Sequence, residues 1–137
     1  MEVEIFTICK SVEDVNGRFS IHGIFNTIDV SHLPVTHSFC VVARIRYYQN
    51  EFGEHDFQLL FGSPSGQINS HVIHHKFNIL PPSTFDFPVG FTLDTLINDI
   101  HYMTFKESGV HHCAILIDGK QIGTRPFIVS PVQMDTK

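Results

Sequence analysis

The 137 residues suit one domain, residues 1–137, which is large enough to bury a core without disulfides or a structural metal. Hydrophobic residues make up 42% of the chain and charged residues only 17%, which excludes an intrinsically disordered protein. The net charge is −5, and no basic cluster is larger than Arg44-Ile45-Arg46, so nucleic acid is excluded as a partner.

The N-terminal residues alternate at once between acidic and apolar side chains. This pattern predicts a first strand and not a signal peptide, which would be basic and then continuously apolar. One face of the strand is predicted to carry Val3, Ile5 and Cys9. The chain has no run of about 18 apolar residues, which a membrane-spanning helix would need. We therefore expect a cytoplasmic protein with no membrane contact and with three reduced cysteines.

A turn at Asn16-Gly17 predicts a hairpin into a second strand. One face of that strand is predicted to carry Phe19, Ile21 and Phe25. The clearest alternation in the chain follows and places Arg44 and Arg46 on one face. The opposite face is predicted to carry Phe39, Val41, Ala43, Ile45 and Tyr47. This strand is expected to have one buried and one wet face.

Four further runs alternate in the same way through the middle of the chain. Their apolar faces are predicted to carry, run by run, His55, Phe57, Leu59 and Phe61; Ile73, Phe77 and Ile79; Phe87, Val89, Phe91, Leu93 and Ile97; and Met103 and Phe105. The segment 62–66 is predicted to be a tight turn. Pro81-Pro82 is predicted to stop the second of these runs, because proline cannot donate to a ladder.

The last third of the chain has the strongest hairpin signal, Asp118-Gly119 between the apolar runs 109–117 and 121–129. Pro126 within the final run predicts an edge position or an irregularity. About nine short strands and no helical stripe predict an all-β fold, a two-sheet antiparallel β-sandwich. The pattern favours an immunoglobulin-like Greek key, with a jelly roll as the alternative.

Cys40 and Cys113 are separated by 73 residues (113 minus 40), as are the paired cysteines of immunoglobulin domains. Three features argue against a disulfide between them. His111 stands where the corner tyrosine belongs, the chain has no tryptophan, and Cys40 alternates with the arginine face of its strand. The cysteines are therefore expected to remain thiols.

Ten histidines raise the question of a metal site. His71 and His75 would share a strand face but lie about 13 Å apart, too far to bind one ion. Only pairing between strands could assemble a site, and the candidate ligands would then be His55, His75 and His111. The histidines are otherwise expected to be surface or core-rim residues, and no cofactor is predicted.

No segment has the pattern of a catalytic site. Gly62-Ser63-Pro64-Ser65-Gly66 has the outline of a nucleophile elbow, but no helix is predicted after it. Paired carboxylates such as Glu51 and Glu54 fall in predicted loops, where solvation explains them. The chain is therefore not expected to be an enzyme.

A set of short segments recurs in a fixed order along the chain: Ile8-Cys9-Lys10, the run from Gly17 to Phe25 with Ile21-His22-Gly23-Ile24-Phe25-Asn26, Leu33-Pro34, Gly53-Glu54-His55, Ser63-Pro64-Ser65-Gly66, and the end from Phe105 through Gly109, Asp118-Gly119 and Pro126 to Val129. Together they resemble an uncharacterised bacterial domain-of-unknown-function family of small proteins. The resemblance covers most of the chain and implies a single β-sandwich in a cytoplasmic bacterial protein, with no catalytic residues. Its members tend to carry tyrosine at the position of His111.

The leading functional hypothesis is a non-enzymatic binding or assembly module, a homo-oligomer or a binder of a protein partner, that acts through a sheet face or edge. It rests on apolar residues on second strand faces, namely Phe6, Ile8 and Val42. The alternative is a small-ligand or metal-binding sandwich that uses the clustered histidines. Carbohydrate binding ranks last, because Tyr47, Tyr48 and Tyr102 are the only tyrosines and tryptophan is absent.

Overall fold

The computed structural model describes residues 1–68, 73–80 and 91–131. The strands in this part of the chain are β1 (Glu2–Val15), β2 (Arg18–Ile24), β3 (Thr27–Val30), β4 (Val35–Tyr48), β5 (Gly53–Gly62), β6 (Ile73–Ile79), β7 (Phe91–Phe105), β8 (Gly109–Ile117) and β9 (Lys120–Pro131). Between β4 and β5 lies one turn of 3-10 helix, Gln49–Glu51. Within the described ranges, no helix is both long enough and apolar enough to span a membrane.

The strands form two sheets, as the alternation predicted. The first sheet has the order β2-β1-β4-β7 and the second the order β3-β9-β8-β5-β6. All pairings are antiparallel except that of β3 with β9. Strands β1, β4 and β7 correspond to A, B and E of an immunoglobulin domain, and β5, β8 and β9 to C, F and G. The fold is therefore an immunoglobulin-like β-sandwich.

Both predicted tight hairpins are confirmed. Asn16 and Gly17 have φ of 54° and 78°, and Asp118 and Gly119 have φ of 53° and 79°. Two successive positive φ values define the type I′ turn, whose twist matches that of the flanking strands. Asn and Asp tolerate this conformation, so each turn begins at a residue that adopts it at low cost.

The prediction that Val3, Ile5 and Cys9 share one face is wrong. A bulge between Val3 and Ile5 shifts the register of β1 against β4, and this reverses the faces that follow. Val3 therefore packs on the main core, whereas Ile5 is 38% exposed. Phe6 and Ile8 are buried in that core, and Cys9 is buried on the opposite side of the sheet.

Two elements differ from the sequence prediction. The pattern gave no indication of β3, which is short and pairs only with the end of β9. The run that ends at Ile97 and the run around Met103 are parts of one strand, β7, which passes through Tyr102 at a φ of 57°. The predictions for His71, for Pro81-Pro82 and for Phe87 fall outside the described residues.

The core lies between the sheets, and the alternation of β4 is confirmed because all five predicted core residues are buried. Four phenylalanine rings join the two sheets, and the centroids of neighbouring rings are 5.9 to 6.3 Å apart. They are Phe39, Phe61, Phe105 and Phe127. Such offset and edge-on ring pairs stabilise a core beyond their buried area.

The opposite face of β4 is not uniformly wet. Cys40 and Val42 are buried there with Cys9, and Val12 and Ile21 of the β1–β2 hairpin pack over them. Farther along β4, Arg44 and Arg46 are half-buried and pair with Glu4. The outer face of the first sheet is thus covered by the β1–β2 hairpin around Cys40 and Val42, and is lined by ion pairs at Arg44 and Arg46.

Candidate functional site

The three candidate histidines do not converge. His55 and His75 lie on the neighbouring strands β5 and β6 and face the core side. His111 lies on β8 beside Phe105 and Phe127, near the far end of β5. The interval between residues 55 and 62 of β5 is about 23 Å at the rise of a strand. Within residues 1–68, 73–80 and 91–131, no three His, Cys, Asp or Glu side chains are placed to bind a metal ion.

His55 is a structural link between three parts of the chain. Its Nδ1 lies 2.6 Å from Asp118 Oδ2, and its ring stacks on Tyr47 and Phe77. Its Nε2 faces the backbone carbonyl of Glu51 at 2.5 Å. Burial lowers the pKa of His55, but the hydrogen bonds to Asp118 and to this carbonyl outweigh burial and raise the pKa overall. Both ring nitrogens thus face oxygen acceptors, which favours the protonated form of the ring.

His111 takes the role of the corner tyrosine of immunoglobulin domains. It is only 5% exposed, and its Nε2 donates to the carbonyl of Glu107 at 2.8 Å. A corner tyrosine likewise bonds to the backbone a few residues upstream. The imidazole also stacks on Phe127 at 5.4 Å. His111 is therefore explained by structure and needs no ligand.

The segment Gly62-Ser63-Pro64-Ser65-Gly66 is a turn, as predicted. The N–H of Gly66 donates to the carbonyl of Ser63 at 2.9 Å, and no helix follows in the described residues. The hydroxyl of Ser65 donates to Glu107 at 2.8 Å, and that of Ser63 accepts from the N–H of Gln67. Both serine hydroxyls therefore brace the turn beside a cavity of about 390 Å³.

The outer face of the second sheet carries a contiguous set of apolar side chains. The register of β5, β8 and β9 brings six apolar side chains onto this face in adjacent rows. Val110 and Ile128 form one row and are 47% and 42% exposed. We call these residues the apolar band; they are Leu60, Val110, Ala114, Leu116, Pro126 and Ile128.

The apolar band contains no Asp, Glu, Lys or Arg. The other residues of its rows are Gln58, Gly62, His112, Gln121 and Thr124, which are uncharged or titratable only as imidazole. Charged residues on this face begin beyond the band, where Asp56 pairs in register with Lys76. An uncharged centre with a polar border is the composition of a protein interface.

The sequence interpretation placed the second apolar face elsewhere, on Phe6, Ile8 and Val42. All three are buried within the fold, so they leave nothing for a partner to cover. A signal for the apolar band was present in the run 109–117, where Val110, Ala114 and Leu116 alternate with residues of the core. Strand β8 thus has apolar residues on both of its faces, as β1 and β4 do.

The fold also leaves part of β1 without a neighbour on one side. Strand β2 begins to pair at Cys9, so residues 2–8 of β1 pair only with β4. Two groups cover the carbonyls on this open edge: Arg125 Nε donates to Phe6 O at 2.8 Å, and Phe25 N donates to Ile8 O at 3.0 Å. The edge is thus protected against adding a foreign strand.

Pro126 fits the same open side of the sandwich, as its sequence position predicted. The N–H of Ile128 points towards β3 and donates to the carbonyl of Asn26 at 2.8 Å. Two residues earlier the backbone has the same orientation, but β3 pairs only with residues 128–131. An N–H at this position would therefore have no strand partner, so proline removes no hydrogen bond from the sheet.

Comparison with solved structures supports the fold. A β-glucosidase from Listeria innocua in complex with glucose matches 93% of this chain at 10% identity and a TM-score of 0.51, and this chain spans 16% of its length. An immunoglobulin-like protein from Pseudomonas aeruginosa matches 93% of this chain and 94% of its own at 11% identity and a TM-score of 0.41. At 10% identity, the likeness to the β-glucosidase structure shows the fold alone.

Comparison with curated proteins gave no match. A family model described as "Family of unknown function (DUF6941)" matches residues 4–130. This range contains every strand pair of both sheets except the first residues of β1 and the last of β9. The resemblance to a domain-of-unknown-function family is thereby confirmed. The chain belongs to the DUF6941 family.

Proposed function

We propose that this chain is a non-enzymatic assembly module that binds a second copy of itself through the apolar band. The observation that carries the proposal is the uncharged centre of the outer β5-β8-β9 face, where Val110 and Ile128 are 47% and 42% exposed. Scattered apolar residues are normal on a surface, but a contiguous set in register favours a contact.

The net charge of the chain favours this face as the contact between two copies. Two copies each carry a net charge of −5 and repel each other unless the contact avoids charged side chains. The rows of the band satisfy that condition, whereas the outer face of the first sheet carries Arg44, Arg46 and Glu4. A basic partner would instead be expected to bind the acidic parts of the surface.

The dimensions of the band fit the core of a small interface. Three strands and four rows of side chains cover about 400 Å². This is about half of the roughly 800 Å² that each partner contributes to a standard interface. The band would thus form the apolar centre, and Gln58, His74 and Gln121 would form its polar border.

The test is the oligomeric state of the full chain, measured by light scattering and native mass spectrometry. We expect a dimer in the wild type and a shift of at least tenfold in the dimer dissociation constant for Ile128→Lys. Ile97→Lys is the matched control, because Ile97 is 38% exposed on the outer face of the first sheet. A wild type that stays monomeric at about 100 µM would overturn the proposal.

A cytoplasmic location is part of the same proposal. It is supported by three free thiols at Cys9, Cys40 and Cys113, which fit a reducing compartment. The bacterial origin that the family resemblance implied is likewise proposed. The alternative of a metal-binding or small-ligand site built from His55, His75 and His111 has no geometric support, since these side chains are held apart by different partners.

A further inference from the structure

Cys9 and Cys40 are directly opposite each other on the antiparallel strands β1 and β4. Opposed residues in such a pair have Cα atoms about 4.5–5.5 Å apart, which lies within the range of about 4.4–6.8 Å that a disulfide spans. Both side chains point to the outer face of the first sheet, where they share one small cluster with Val42. The two thiols are close enough that each influences the pKa of the other.

The cover over this pair is thin. Cys9 and Cys40 are 0% and 1% exposed, but the apolar side chains that pack over their cluster, Val12 and Ile21, are themselves only half-buried. Both belong to the β1–β2 hairpin, in which Ile21 is the one residue of β2 that is not exposed. An edge hairpin with so little buried surface opens locally at much lower cost than the core.

We propose that Cys9 and Cys40 form a redox-active dithiol site, which a small-molecule disulfide such as glutathione disulfide oxidises to an intramolecular disulfide when the hairpin opens. The Cys9 thiol loses its proton to solvent, and the thiolate attacks one sulfur of glutathione disulfide and releases one glutathione thiolate. The Cys40 thiolate then attacks the sulfur of Cys9 and releases the second glutathione. Two protons and two electrons leave the protein in all.

The electrostatics of the two thiols makes opening of the β1–β2 hairpin the step that controls their oxidation. Burial raises the pKa of both thiols, that of Cys40 to about 12, and the carboxylate of Asp99 raises them further. Few thiolates therefore exist while the hairpin is closed, and exposure to water restores normal reactivity. The disulfide would fasten β1 to β4 across a loop of 31 residues (40 minus 9).

The experiment treats the reduced full chain with glutathione disulfide and follows it by intact mass and by thiol titration after denaturation. We expect a loss of two hydrogen atoms, a fall from three free thiols to one, and a peptide that links Cys9 to Cys40. The oxidised protein should unfold at a higher denaturant concentration. A disulfide that includes Cys113, a disulfide between chains, or three thiols that persist at full equilibration would overturn the proposal.

Two further variants test the route. Ile21→Ala thins the cover and should speed oxidation about fivefold, whereas Ile24→Ala on the same strand, where the side chain is 65% exposed, should leave the rate unchanged. Equal rates in both would contradict opening of the hairpin. Cys113→Ala removes the core thiol on the other face and should still form the disulfide, and failure of this variant to do so while folded would contradict the assignment.

Discussion

Nδ1 of His55 lies 2.6 Å from Oδ2 of Asp118, and this contact ties strand β5 to the turn between β8 and β9. The other carboxylate oxygen of Asp118 accepts the backbone N–H of Asp56 at 2.8 Å. One aspartate thus forms the tight turn and fastens it to the neighbouring strand. The strongest hairpin signal in the sequence therefore also supplies a contact between residues 63 positions apart.

This pair should make stability depend on pH. The pKa of His55 is raised, so its contribution is complete below the pKa of an unfolded histidine and is lost as pH rises through the folded value. The hydrogen bonds from His55 and from the Asp56 N–H lower the pKa of Asp118, so its contribution is lost only in acid. The pair therefore stabilises most between about pH 3.8 and pH 6.5.

Asp118→Asn should lower the free energy of unfolding by about 1 kcal/mol near pH 5.5, a modest value because the carboxylate is half-exposed to water. Asparagine tolerates the positive φ of this position, so the turn itself is kept. The difference from wild type should shrink well above the folded pKa of His55. Urea unfolding at several pH values measures it. Asp14→Asn in the other hairpin is the control, and equal pH dependence in both variants would contradict the role of His55.

Replacement of His111 should separate its hydrogen bond from its packing. His111→Phe keeps a ring against Phe127 but leaves the carbonyl of Glu107 without its donor, so we expect a loss of about 1–2 kcal/mol in stability. His111→Tyr should cost less, because a tyrosine hydroxyl serves the same carbonyl in immunoglobulin domains. Thermal or denaturant unfolding measures both, and a tyrosine variant as unstable as the phenylalanine variant would contradict the corner role.

Arg125 should protect the open edge of β1. Arg125→Met removes the donor to Phe6 O but keeps an unbranched apolar stem, so the carbonyl becomes available to a strand from another molecule. We expect faster aggregation on heating and a loss of about 1 kcal/mol in stability. Light scattering during a slow temperature ramp measures the first effect. Arg18→Met on β2 is the control, and similar aggregation of both variants would assign the effect to charge alone.

Gly23 should resist substitution more than Gly62. Its φ is 66°, and an added Cβ would lie 3.0 Å from Cβ of Lys10 on the neighbouring strand. Gly23→Ala should therefore cost about 2 kcal/mol in the free energy of unfolding. Gly62→Ala is the matched control, because no atom lies within 4 Å of its added Cβ. Equal unfolding midpoints for the two variants would show that the close approach relaxes freely.

Local signals in the sequence were sufficient for much of the fold. Asn16-Gly17 and Asp118-Gly119 require positive φ at the turns, and the alternation of β4 fixes which side chains enter the core. These features depend on residues near one another in the chain. The open side at Pro126 was also indicated, because proline has no N–H to donate to a neighbouring strand.

Features that depend on distant partners were not predictable. The bulge before Ile5 reverses the faces of β1, and none of the residue types there indicates that the strand contains an extra residue. The apolar band appears only when the register of β5, β8 and β9 is known, because β5 contributes one of its residues, β8 three and β9 two. For the same reason the sequence could group His55, His75 and His111 but could not show that each has separate partners.

Strand β3 pairs with a segment that lies far along the chain. Thr27 pairs with Ile128, so the two partners are separated by 101 residues (128 minus 27). During synthesis on a ribosome, β1 and β2 can form their hairpin early, but β3 has no partner until β9 has emerged. The second sheet therefore closes last, and its parallel pair joins an early and a late part of the chain in a step with a high entropic cost.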